Sequence, residues 1–96
     1  MSQCLLSPAA VRDLREIQAY IARDSIDASR RVVTQLRTAC ERLARNPLMG
    51  HSREDLTDQP VLFWPVGAYS VIYRPETTPL KIVRVLHGSR DIPNLV

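Results

Sequence analysis

The chain has 96 residues, 45% hydrophobic and 24% charged, enough for one globular domain around a single modest core and too few for two. Its formal net charge of +3 suits a nucleic acid or an acidic protein equally and demands neither, because no lysine or arginine run marks a phosphate-tracking tail. No apolar run reaches membrane-spanning length, and Met1-Ser2-Gln3-Cys4 has no basic segment leading into an apolar one, so neither a membrane span nor a signal peptide is expected.

In chain order, Gln3 to Leu6 is short and apolar and reads as a strand added at a sheet edge. Ser7-Pro8 is a helix start, a hydroxyl to cap free amides followed by proline at the first helical position, where its missing N–H costs nothing. Ala10, Leu14, Ile17 and Ile21 then recur at three- and four-residue steps with Arg12, Asp13, Arg15 and Glu16 between them, an amphipathic helix. Asp24-Ser25-Ile26-Asp27 breaks it and caps a second helix, whose stripe is Val32, Leu36, Ala39 or Cys40, and Leu43. A connection this short makes the two helices an antiparallel hairpin. Leu14, Ile17, Leu36 and Leu43 are the residues expected to meet the sheet. Asn46-Pro47 ends the second helix, and Leu48 to Gln59, without a period, is a surface connection.

Phe63 to Asp91 is rich in β-branched and aromatic residues, with Gly or Pro at each place the chain must turn. Phe63-Trp64 leads into a turn at Pro65-Val66-Gly67, Ala68 to Arg74 returns, Pro75 to Pro79 turns again, and Leu80 to His87 is the last strand. These make a three-strand antiparallel meander, and the order β, α, α, β, β, β defines an α+β domain with a helical hairpin on one face of an antiparallel sheet. On the last strand Leu80, Ile82 and Leu86 are expected on one face and Val83 and Val85 on the other; on the middle strand Val71 and Tyr73 oppose Ile72. With both faces apolar, one packs on the helices and the other is expected to be covered by something else.

The pattern excludes several chemistries. His51 and His87 stand far apart without a neighbouring acidic or thiol cluster, so no metal site is expected. Gly50, Gly67 and Gly88 do not precede a helix start as a phosphate-binding loop requires. Ser89 lies near His87 but has no strand-to-helix elbow and no third partner. Cys4 and Cys40, each in an apolar setting, read as buried free thiols of a cytoplasmic protein, and no cofactor is implied.

Several stretches resemble the ParE toxins of the ParE/RelE superfamily of type II toxin–antitoxin systems: Leu5-Leu6-Ser7-Pro8-Ala9-Ala10, Asp13-Leu14-Arg15-Glu16-Ile17, Ala39 to Pro47, Pro65 to Arg74, and Ile82 to Asp91. The resemblance covers nearly the whole chain and implies the RelE/ParE-like fold, inhibition of DNA gyrase by binding, and neutralisation by a ParD-type antitoxin. Leu14, Ile21, Tyr73, Arg74 and Arg84 are then the expected antitoxin-binding residues, and Arg90, Asp91, Ile92 and Leu95 the target-binding ones. No sequence-specific nucleic-acid binding is expected of the toxin alone.

The superfamily also includes RelE-like toxins that cut mRNA on the ribosome, which requires a base, an acid and cations at the scissile phosphate. Arg90 matches one arginine of that set, but Ser70, just after Tyr69, stands where the nucleases hold another. The tail from Ile92 to Val96 has no tyrosine and the loop before the sheet no lysine. His87 is the remaining acid–base candidate. The reading is a binding toxin rather than an enzyme, with a nuclease built on Arg90 and His87, or a non-toxic antitoxin-binding relative, as alternatives.

Overall fold

The computed structural model describes residues 3–88. The elements are β1 (Cys4–Leu6), α1 (Pro8–Ala22), α2 (Ile26–Arg45), β2 (Leu62–Val66), β3 (Tyr69–Arg74) and β4 (Leu80–His87). Both helices begin at the expected caps. The Ser7 hydroxyl accepts from the Ala10 N–H at 3.0 Å, and that of Ser25 from the Ala28 N–H at 3.1 Å. The Asn46 N–H donates back to the Arg42 carbonyl at 3.0 Å and closes α2 before Pro47.

The sheet runs β1-β4-β3-β2. Pairings β2–β3 and β3–β4 are antiparallel, as the meander requires, whereas β1 runs parallel to β4. The sheet is therefore mixed rather than antiparallel. A parallel pair needs a long crossover, and here the helical hairpin carries the chain from β1 across to β2 at the far edge, from which the β2–β3–β4 meander returns beside β1. Ser7 fastens the crossover at its start, its N–H donating to the Ile82 carbonyl at 2.9 Å and its hydroxyl to the Val83 carbonyl at 2.6 Å.

Two details of the meander differ from the sequence expectation. Pro65 lies within β2, opposite Ser70, and the reversal is confined to Gly67-Ala68, with Gly67 at φ +58°. Proline is tolerated there because β2 is an edge strand. The second difference is a bulge in β4: Ile72 pairs with Arg84 and Tyr73 with Ile82, leaving Val83 as the extra residue. The bulge shifts the alternation, so that Val85 joins Leu80 and Ile82 in one cluster while Val83 and Leu86 pack with Ile72.

The main core lies between the hairpin and the sheet, with Ala10, Leu36, Cys40 and Leu43 against Val71, Tyr73, Leu80, Ile82 and Val85. On the opposite face Ile72 and Phe63 are covered by Val61 and Leu56 of the connection after α2. The chain's own loop, and not a partner, covers this part of the second apolar face. That loop also guards the outer edge of β2, where His51 and Phe63 exchange backbone hydrogen bonds of 2.9 and 2.7 Å.

Tyr73 fixes where the loop leaves α2. Its ring is fully buried, its hydroxyl donates to the Pro47 carbonyl at 2.6 Å, and it accepts from the Gly50 N–H at 2.9 Å. A Cβ on Gly50 would fall 2.5 Å from that hydroxyl and 3.0 Å from the Phe63 carbonyl oxygen. Gly50→Ala is therefore expected to cost about 1–3 kcal/mol by overpacking, and urea unfolding at neutral pH measures it. A loss below about 0.5 kcal/mol, ordinary for a surface change, would mean that the loop yields freely.

Candidate functional site

Asp13 occupies an unusual position, a carboxylate on the buried stripe of α1 that sequence periodicity had placed among the polar residues. Only 7% of it is exposed. It accepts from Arg84 Nε and Nη2, each at 2.8 Å, and from the Val85 N–H at 3.0 Å. Its hydrogen bonds raise the Arg84 pKa above the ordinary value, so the guanidinium stays charged although largely enclosed. The pair locks α1 to β4 just past the bulge, which determines which β4 residues approach the helix.

Beside this pair runs a groove of about 490 Å³, lined on the helix side by Asp13, Glu16, Ile17 and Tyr20 and on the sheet side by Tyr69, Val85, Leu86 and His87. Tyr20 is 70% exposed at its mouth. Tyr69 and His87, paired across β3 and β4, meet edge to face with ring centroids 5.4 Å apart. An aromatic groove lined by both apolar and polar side chains is suited to docking a protein segment.

The structure disperses the residues expected to bind an antitoxin. Tyr73 has no exposed surface, and Leu14 packs half-buried against the same core cluster. Arg84 is engaged by Asp13, so in the free chain it braces the fold from inside. Ile21 is half-buried near the end of α1, and Arg74 makes an exposed pair with Glu76 at 3.0 Å beyond the end of β3. Of the acid–base and target candidates, His87 lies at the groove. Arg90, Asp91, Ile92 and Leu95 lie outside the described residues. Sequence reasoning missed Asp13, Glu16, Tyr20 and Tyr69 as parts of one site. The available signal was an acid three residues after Ala10, on the apolar period of α1.

The described residues contain no group of three or more potential metal ligands. Both cysteines are free thiols. Burial, with Cys4 adjacent, pushes the Cys40 thiol from its ordinary 9.0 up to about 12, and burial raises Cys4 as well. Such a thiol is protonated at neutral pH and is a poor nucleophile. The folded state holds this proton more tightly than the unfolded chain. The stabilisation is therefore complete below the unfolded pKa near 9 and lost as pH rises toward about 12. The parent should lose stability faster than Cys40→Ala between about pH 8.5 and 11, the gap reaching a few kcal/mol at ~1.4 kcal/mol per unit. Parallel unfolding curves across that range would contradict the assignment.

Two helices laid on a four-stranded mixed sheet form a fold also found in solved toxin–antitoxin systems. The chain matches a structure of the chromosomal ParDE system of P. aeruginosa with a TM-score of 0.74 and 17% identity, over 92% of this chain and 97% of that one. It matches the RelBE2 toxin–antitoxin complex of Mycobacterium tuberculosis with a TM-score of 0.56 and 23% identity, over 90% and 96% respectively. These likenesses show the fold. In sequence, residues 4–92 match the family of the ParE toxin of type II toxin–antitoxin system, parDE. The chain is also 31% identical over 87 residues to a Sinorhizobium fredii protein named "Putative toxin Y4kP", covering 91% of this chain and 88% of that protein. The protein belongs to the ParE toxin family. No described helix is long and apolar enough to cross a membrane.

Proposed function

We propose that this protein is a toxin that inhibits DNA gyrase by docking on it, without catalysing a reaction, and that a ParD-type antitoxin neutralises it in the cytoplasm. Membership of the ParE family supports the reading. The observation that carries it is the groove beside α1, where Tyr20, Tyr69 and Ile17 offer aromatic and aliphatic surface of the kind that anchors a protein partner. The antitoxin, in this reading, lays an amphipathic segment along apolar groups left exposed at the helices and β1, such as Leu5, Leu6 and Ile26. Arg74 is open to an acidic group of that segment, because its pair with exposed Glu76 is weak.

The deciding experiment assays one purified protein for gyrase supercoiling and DNA cleavage, and for ribosome-dependent mRNA cleavage. The expected result is gyrase inhibition, weakened at most about tenfold in His87→Ala, which trims one wall of the groove but removes no proton transfer, whose loss would cost orders of magnitude. Truncation after Gly88, which removes Arg90, Asp91, Ile92 and Leu95, should abolish inhibition while leaving antitoxin binding intact. Ribosome-dependent cleavage that falls by orders of magnitude in His87→Ala, with gyrase unaffected, would replace this reading with the nuclease one.

A further inference from the structure

The exposed half of α2 is an arginine surface. Arg30, Arg31, Arg37, Arg42 and Arg45 are all exposed, while Ser29, Leu36, Ala39, Cys40 and Leu43 fill the opposite side. At 3.6 residues per turn the five arginines fall within about 140° of arc and extend over about 22 Å of helix. The acids on that face are Asp27 and Glu41, which leaves three positive charges, equal to the net charge of the whole chain. None of the five makes an ion pair with another described residue.

Helix stability accounts for only part of this pattern. Arg42 and Arg45 lie in the last turn, where a cation complements the helix dipole. Arg30 and Arg31 stand near the other end, where a cation gains nothing from it. Asp27 and Glu41 are at helical spacing to pair with Arg31 and Arg45, yet no ion pair forms. The ligand this surface fits is set by what else it carries. Apart from Ile26 at its start, the exposed face of α2 has no large apolar residue to anchor an acidic peptide. Between the arginines it offers Thr34, Gln35 and Thr38, side chains that hydrogen-bond phosphate oxygens. Arginine itself is the cation best matched to phosphate, through its planar donor fork.

We propose that the outer face of α2 binds the phosphate backbone of duplex DNA without reading its sequence. The choice of DNA over RNA rests on the gyrase reading, since gyrase works on duplex DNA; the arginine face itself does not. Held on gyrase, the toxin would then touch both the enzyme and the DNA it handles.

The test is fluorescence anisotropy of a labelled mixed-sequence DNA duplex with the full-length toxin, without gyrase, across a salt series starting near 50 mM. Binding is expected to weaken linearly in log–log form. Arg30→Gln/Arg37→Gln/Arg45→Gln should weaken it at least tenfold and lower the salt slope by about three, at roughly 0.9 per phosphate contact. The triple lysine variant, which keeps the charge, should retain most of the affinity and serves as the folding control alongside a thermal melt. No binding by the parent near 50 mM salt, or unchanged affinity in a folded glutamine variant, would overturn the proposal. So would displacement of DNA by polyglutamate at equal charge, or a tenfold preference for an RNA hairpin of equal length. A protein that inhibits gyrase yet binds no DNA sinks this proposal alone, while one that binds DNA and spares gyrase sinks the gyrase reading alone.

Discussion

Replacing Asp13 by alanine should destabilise the protein by about 3–5 kcal/mol, because it deprives a largely enclosed guanidinium of its carboxylate and orphans the Val85 N–H. Arg84→Ala should cost a similar amount, since the buried carboxylate then keeps only the Val85 amide among these partners. Either loss is a large share of the roughly 5–15 kcal/mol that holds a domain together. A well-packed apolar pair, Asp13→Leu with Arg84→Met, should recover much of it, because each single loss reflects burying one charge without the other more than the worth of the ion pair. Urea unfolding of the two single variants and the double variant measures the coupling. Single losses below about 1 kcal/mol, the scale of an exposed pair, would mean that water reaches the site freely. Antitoxin titration of Arg84→Ala is informative only after this measurement, since weaker binding would otherwise report a loosened fold.

Leu36→Ala should cost about 2–5 kcal/mol, at the upper part of that range, and Leu14→Ala distinctly less. Leu36 is 1% exposed and enclosed by the core under the hairpin, so its removal leaves a void that the sheet cannot fill. Leu14 is only half-buried, and water can occupy part of the vacated space. In a domain this small each kcal/mol shifts the melting temperature by about 4–8 °C, so Leu36→Ala should melt more than about 8 °C below the parent. Equal melting shifts for the two variants would show that the stripe of α1 is as enclosed as that of α2.

The local parts of this fold were legible because they are written in neighbouring residues. Ser7-Pro8 and Ser25 mark the helix starts, and the expected bounds of the last strand, Leu80 to His87, are those observed. What escaped depends on pairing at a distance. The direction of β1 is set by its ladder to β4, and the bulge at Val83 adds one residue that composition cannot reveal. Asp13 stood in plain view on the period of α1, but its partner lies 71 residues away among several other arginines. Charge spacing alone could not choose between them. The groove was illegible for the same reason, since its helix wall and its sheet wall come from opposite halves of the chain.

The parallel ladder between β1 and β4 has a consequence for the timing of synthesis. β1 is made before the helical hairpin, and β4 after every other described element. Until β4 has left the ribosome, β1 lacks its one sheet neighbour among the described residues, the Ser7 hydroxyl lacks the Val83 carbonyl, and the Asp13 carboxylate lacks the Arg84 guanidinium. The helical hairpin can form early from local contacts, but the groove cannot exist before translation of β4 is finished. A nascent chain stalled anywhere upstream of that strand therefore lacks the groove. The site is thus completed in a single late step, when β4 enters between β1 and β3 and Arg84 reaches Asp13.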